Sequence, residues 1–190
     1  LMLSMLTEEP DAYLAQLQAA KLNDDVEVAH YAATAVAQIS KESDLKLQQL
    51  ERAFKTDPSA QNLNEYCDFL GEYLGSGLAE GRVAQIQRQQ YARLLARRCE
   101  REDTLELRIR YATALADVGQ IDEAQAVTDQ LVLDVPEEQE VWMLCLRLAV
   151  MRRDGDEVHR VIDAIDKQHV YLSAANREEL AFWRNGEEAR

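Results

Sequence analysis

Hydrophobic and polar positions along the chain recur at helical spacing almost from end to end, and nowhere do they alternate over a long run as in a half-buried strand. From Asp11 to Asp57 there is neither Gly nor Pro, and Ala, Leu, Gln, Glu and Lys, all good helix formers, dominate. Two helices are predicted there. The first starts at Pro10, with Tyr13, Leu14 and Leu17 on one stripe, and Asn23-Asp24-Asp25 ends it and caps the next. The second runs from about Asp25 to Phe54 along Val26, Tyr31, Ala35, Ile39, Leu45, Leu50 and Phe54, with a possible break between Ser40 and Ser43. After Pro58 a third helix is expected over about Ala60 to Leu74, placing Leu63, Tyr66, Cys67 and Leu70 on one face. Gly71, Gly75, Gly77 and Gly81 then mark a long flexible turn before a helix over about Arg82 to Arg101.

Near Leu105 the pattern begins to repeat. With Leu105 as position 1, Ala112, Leu115, Gly119, Ala124, Leu131 and Pro136 occupy positions 8, 11, 15, 20, 27 and 32, the small and apolar sites of a 34-residue tetratricopeptide repeat. Moving on by 34 gives Leu146, Ala149, Arg153, Val158, Ile165 and Val170, and puts Trp142 at position 4. Small residues at positions 8 and 20 let two antiparallel helices approach, a glycine at 15 turns the chain, and a proline at 32 stops the second helix. Arg153 and Val170 replace the turn glycine and the terminal proline in the second unit, which puts its turn geometry in question. Glu51 to Pro58 resembles the end of an earlier unit. Beyond Ser173 a last helix carrying Leu180, Phe182 and Trp183 is expected to cover the end of the stack. The fold class expected is therefore all-α: a tetratricopeptide-like helical hairpin solenoid with a long N-terminal helix and a C-terminal capping helix. Residues 11–190 are read as one domain, and residues 1–10 as a chain start or membrane-proximal segment.

Composition narrows the function. With 7 Gly and 3 Pro in 190 residues there is little material for the many tight turns of a sandwich or barrel. The 35 acidic and 21 basic residues give a net charge of -14, which opposes general nucleic-acid binding. No stretch is apolar enough to cross a bilayer, so the chain as given reads as soluble. Cys67, Cys99 and Cys145, odd in number and far apart, fit reduced thiols. His30, His159 and His169 lack metal-ligand spacing, and no nucleophile elbow, phosphate-binding loop or paired-carboxylate pattern occurs, so neither an enzyme nor a cofactor is expected. Arg160 and Asp163 share the Arg-x-x-Asp spacing of cyclic dinucleotide receptors, but an i, i+3 ion pair explains them more simply.

Charge is unevenly spread. Arg82, Arg88, Arg93, Arg97, Arg98 and Arg101 face a single acid, Glu100, over residues 82–101, whereas residues 111–140 hold eight acids and no base. These stretches either neutralise one another across neighbouring units or present a docking face. In a stack of helix pairs the first helix of each unit lines a groove, which here comprises Glu106, Ile109, Thr113 and Ala116, then Glu140, Met143, Arg147 and Val150. Candidate partner-binding residues are accordingly Arg82, Arg88, Arg93, Arg97, Arg101, Ile109, Met143 and Arg147.

Residues 29–39, Ala-His-Tyr-Ala-Ala-Thr-Ala-Val-Ala-Gln-Ile, and Phe69 to Leu78, continuing through Arg88 and Tyr91-Ala-Arg-Leu-Leu95, together with the downstream repeats, resemble PelE, the tetratricopeptide-containing component of bacterial Pel exopolysaccharide biosynthesis. The likeness spans about residues 24 to 170. It implies an inner-membrane protein with membrane helices ahead of a repeat domain on the cytoplasmic side. As partners it implies PelD, the cyclic-di-GMP receptor, and the polysaccharide synthase subunits. A soluble tetratricopeptide adaptor or secretion chaperone with another client is the alternative.

Overall fold

The computed structural model describes residues 10–185, and side chains from 13 to 184. The expected segment 1–10 lies outside these residues except for Pro10. Among the described residues the chain is all-α, with helices α1 (Pro10–Ala20), α2 (Val26–Thr56), α3 (Ala60–Gly75), α4 (Gly81–Cys99), α5 (Leu105–Asp117), α6 (Ile121–Asp134), α7 (Gln139–Arg152), α8 (Gly155–Gln168) and α9 (Ala174–Asn185). The chain forms two compact units that divide inside α4, between Gln87 and Arg88.

In the first unit α1 and α3 each pack on α2. Asp25 starts α2 by accepting a 2.9 Å hydrogen bond from the Glu27 N–H, as the Asn-Asp-Asp group predicts. The helix then runs unbroken through Ser40 and Ser43. Its buried residues are Ala32, Leu47 and Phe54, while Val26, Tyr31 and Leu45 of the expected stripe are 79%, 72% and 49% exposed. Phe54 of that stripe is buried and Ala35, Ile39 and Leu50 are half-buried, so the stripe holds in part; the rest is exposed because an Ala-rich helix offers two weakly apolar faces, and only the packing of α1 and α3 selects one. On α3, Leu63, Tyr66, Cys67 and Leu70 are all buried, as their spacing requires. The Tyr73 hydroxyl donates to Asp44 at 2.7 Å, and the Lys46 ammonium sits 4.2 Å from the centre of the Phe69 ring. The glycine-rich stretch is not a long turn: Gly71 and Gly75 are helical, and only residues 76–80 separate α3 from α4. Gly77 and Gly81 are the two that adopt positive φ, at 71° and 56°.

In the second unit contacts run α5–α6, α6–α7, α7–α8 and α8–α9, with α5 also touching α7. Successive helix pairs therefore pack on their neighbours as repeated hairpins. The 34-residue period holds in three dimensions. Leu105 and Gln139 open the first helices, and Ile121 and Gly155 open the second. Ala112, Leu115, Ala124 and Leu131 are buried, as are their equivalents Leu146, Ala149, Val158 and Ile165. Two cores result. Ala112, Leu115, Ala124 and Leu131 join Val141, Leu144 and Leu148 in one, and the opposite face of α7 meets α8 and Leu180 in the other. A helix buried on two sides explains why α7 is apolar nearly all round.

The two turns answer the doubt over Arg153. Gly119 has φ +79°, and Arg153, 34 residues later, has φ +56°, closing α7 with its N–H on the Ala149 and Val150 carbonyls. The same left-handed turn is thus made by a residue with a Cβ, at a cost of roughly 1–2 kcal/mol. Arg153→Gly is expected to stabilise the second unit by about 1 kcal/mol, read as a higher urea midpoint with unchanged slope. An unchanged or lower midpoint would show that the arginine side chain offsets its backbone strain. At the end of the second unit the missing proline is replaced by another left-handed residue, His169 at φ +53°.

Helix α9 departs from the array. Ala175, Glu178 and Phe182 correspond to Val141, Leu144 and Leu148, which are buried against the preceding unit, yet all three are exposed, Phe182 by 67%. A carboxylate in place of Leu144 cannot enter an apolar interface without a partner, so α9 turns its Leu180 and Trp183 face onto the α7–α8 core instead. The cap is built by Leu180 and Trp183, and Phe182, expected to share in it, stays outside. The Gln139 side-chain oxygen fixes the start of α9 by accepting from the Ser173 N–H at 2.8 Å and from the Asn176 amide at 3.1 Å.

Candidate interaction surfaces

Helix α4 carries no acidic residue. At 3.6 residues per turn, Arg82, Ile86, Gln89, Arg93 and Arg97 fall within one strip roughly 80° wide. All five are exposed, Ile86 by 55%. Arg88 is exposed as well, but it points roughly 140° away from the strip. Ala84, Ala92, Leu94 and Leu95 form the buried side. Arg98 is on that side too, 8% exposed, with a carboxylate oxygen of Glu102 at 3.9 Å. Arg101 is exposed in the turn after the helix. Among the described residues Arg82, Arg88 and Arg93 make no ion pair.

The acidic stretch finds its cations elsewhere. Asp134 pairs with Arg108 of α5 at 2.6 Å, Asp117 with Arg147 of α7 at 2.5 Å, and Asp122 with Arg152 of α7 at 2.8 Å. Neutralisation across neighbouring helices does occur, between α5, α6 and α7, and among the described residues Arg82, Arg88 and Arg93 take no part in it. Arg160 likewise pairs with Glu157 at 2.7 Å and not with Asp163.

A cleft of about 360 Å³ opens in the second unit, with Gln89, Ala92, Arg93 and Ala96 of α4 on one wall. Tyr111, Leu115 and Val118 form its floor, and Gln120 and Glu123 at the start of α6 form the other wall. Burial, and then the Glu123 carboxylate, push the Tyr111 hydroxyl above its ordinary range, so it stays a neutral donor. Sequence periodicity does not reveal this cleft, because its lining comes from three different helices. The only signal was the small Ala92 and Ala96 pair facing a Tyr.

Of the groove residues, Ile109 and Met143, 34 residues apart on α5 and α7, are half-buried, and Thr113 and Val150 are half-buried too. Glu106 and Glu140 are exposed beside them, and Arg147 is held by Asp117. Ala116, expected to line the groove, is fully buried in the α5–α6–α7 core, since its position lies under the returning α6. The structure therefore brings Ile109, Met143 and Arg147 onto consecutive first helices, and sets Arg93 and Arg97 on a different helix.

All three cysteines are free thiols. Burial pushes Cys145 up to about 12 and also raises Cys99. Among the described residues no group of three or more His, Cys, Asp or Glu side chains could hold a metal ion, and no helix is long and apolar enough to cross a membrane. Comparison with protein-family models, with curated proteins and with solved structures finds no match.

Proposed function

We propose that this chain is a tetratricopeptide-like scaffold that binds other proteins and carries out no chemistry of its own, as the cytoplasm-facing part of an inner-membrane component of a Pel-type exopolysaccharide synthesis complex. The observation that carries the scaffold reading is the in-register 34-residue repetition of helix starts, buried positions and left-handed turn residues from Leu105 to Gln168. An array of this kind buries its apolar surface between successive hairpins, and the outward face of each first helix remains available to a ligand. On α5 and α7 that face presents half-buried Ile109, Thr113, Met143 and Val150 beside Glu106, Glu140 and Arg147. Apolar contacts with a charged rim suit a peptide or helix from a partner. The resemblance to PelE supplies the partners to test: the cyclic-di-GMP receptor PelD and the synthase subunits.

The full-length protein, tagged and solubilised from its native membrane, is expected to co-purify with these chains. Ile109→Lys combined with Met143→Lys is expected to cut recovery at least about tenfold, because charging two half-buried anchors removes the apolar contact. Helicity by circular dichroism should be unchanged. Recovery of neither PelD nor synthase subunits would overturn the exopolysaccharide assignment. Recovery insensitive to the double substitution would overturn the groove.

A further inference from the structure

We infer that the cleft between α4 and the start of α6 docks a linear segment of a partner protein in which one acidic and one basic side chain flank an apolar one. The cleft, about 360 Å³, lies wholly in the second unit. Its two walls carry opposite charge, Arg93 on α4 and Glu123 in the first turn of α6. Among the described residues Arg93 has no carboxylate at ion-pair distance, so the cleft holds the two apart. Glu123 accepts a hydrogen bond from the Gln120 side-chain amide at 2.9 Å and meets no cation there. Between the walls the floor is apolar, formed by Leu115 and Val118 with Ala92 and Ala96 beside them.

Charge selects the occupant. An acidic segment, or an anionic lipid surface, would satisfy Arg93 and be repelled by Glu123, and a basic segment would do the reverse. A segment bearing both signs meets attraction on each wall, and an apolar residue between them covers the floor. Two further groups match a peptide backbone, which offers an N–H and a C=O at almost every residue. Among the described residues neither the half-buried Tyr111 hydroxyl nor the Gln89 side-chain amide makes a hydrogen bond. Tyr111, held neutral, donates to a carbonyl, and Gln89 both donates and accepts. A free small molecule fits less well. Gln89, Arg93, Gln120 and Glu123 are all exposed, so the cleft leaves a ligand more open than the roughly 10–30% that small-molecule sites allow.

The site adds to the scaffold reading and rests on it only in that the occupant is taken to be a protein. It is measured with peptides on the chain alone, so it fails separately from partner capture at Ile109 and Met143.

The probes are three end-blocked peptides, Gly-Glu-Leu-Lys-Gly, Gly-Glu-Leu-Glu-Gly and Gly-Lys-Leu-Lys-Gly, titrated into the isotope-labelled 190-residue chain and followed by amide chemical shifts. The peptide of mixed charge is expected to move the signals of Ala92, Ala96, Tyr111 and Val118 and to bind about tenfold more tightly than either of the others. Arg93→Glu makes both walls acidic and is expected to pass the preference to the all-basic peptide. Glu123→Arg makes both walls basic and is expected to pass it to the all-acidic one. The two substitutions together should return the preference to the mixed peptide. Serine in place of the peptide's leucine is expected to weaken binding about tenfold, since the floor then loses its apolar contact. Should circular dichroism find a charge reversal unfolded, Arg93→Gln and Glu123→Gln take its place, each expected to weaken the mixed peptide about fivefold. Affinities that follow peptide net charge alone in every variant, shifts centred on Ile109 and Met143 in place of the cleft, or no shift at about 10 mM peptide would each overturn the proposal.

Discussion

Leu146→Ala is expected to destabilise the second unit by about 2–5 kcal/mol, and Ala149→Leu added to it to return part of that loss. Leu146 and Ala149 lie one turn apart on α7, both within 1% of complete burial, in the core closed by α8 and α9. Their equivalents on α5 are Ala112 and Leu115, also buried, in which small and large have changed places. The space between the hairpins is thus filled from position 8 in one unit and from position 11 in the other. Leu146→Ala alone empties it. Ala149→Leu alone overfills it, at about 1–3 kcal/mol. The pair together restores the α5 arrangement, so its cost should fall below the sum of the two by more than about 1 kcal/mol. Urea denaturation of the four chains closes the cycle, and strict additivity would show that the two positions do not share one space.

Stability is expected to fall from about pH 9 upward, with Cys145 as a main contributor. Its thiol is held neutral chiefly by burial and further by Asp129 and Glu157, at about 12 against an ordinary 9.0. The sign follows from proton binding. Between those values the folded chain keeps a proton that the unfolded chain has released, so rising pH favours unfolding. Below pH 9 both states are protonated and the full contribution is present. By pH 12 on the order of 4 kcal/mol is lost. Cys145→Ala removes the titrating group and is expected to flatten the pH dependence of the urea midpoint over that range. A slope unchanged in that variant would place the effect elsewhere. In the first unit Tyr73, raised by burial and by its bond to Asp44 to about 12, acts in the same direction from its ordinary 10.0.

Legibility in the sequence differed from helix to helix. The 34-residue period between Leu105 and Ile165 was readable because each unit repeats one burial problem, and the same residue types solve it at the same spacing. The cap Asp25 and the turn at Gly119 were equally local, each serving backbone groups within a few residues. Along α2 the reading held only in part, at Ala35, Ile39, Leu50 and Phe54, since Ala and Gln satisfy either side of a helix. The glycines of α3 misled because a helix tolerates glycine when tertiary contacts hold it in place.

Helix content, the positions of the hairpins and the uneven spread of charge were determined by the sequence alone, because propensity, capping and periodicity act over one or two turns. Tertiary structure alone decided which side of α2 is buried, that Arg153 would accept a left-handed turn, that α9 would cap with Leu180 and Trp183, and that α6 carboxylates would pair with α5 and α7. Each of these depends on which groups, distant in sequence, come within a few ångströms of one another, and local spacing carries no information about that distance.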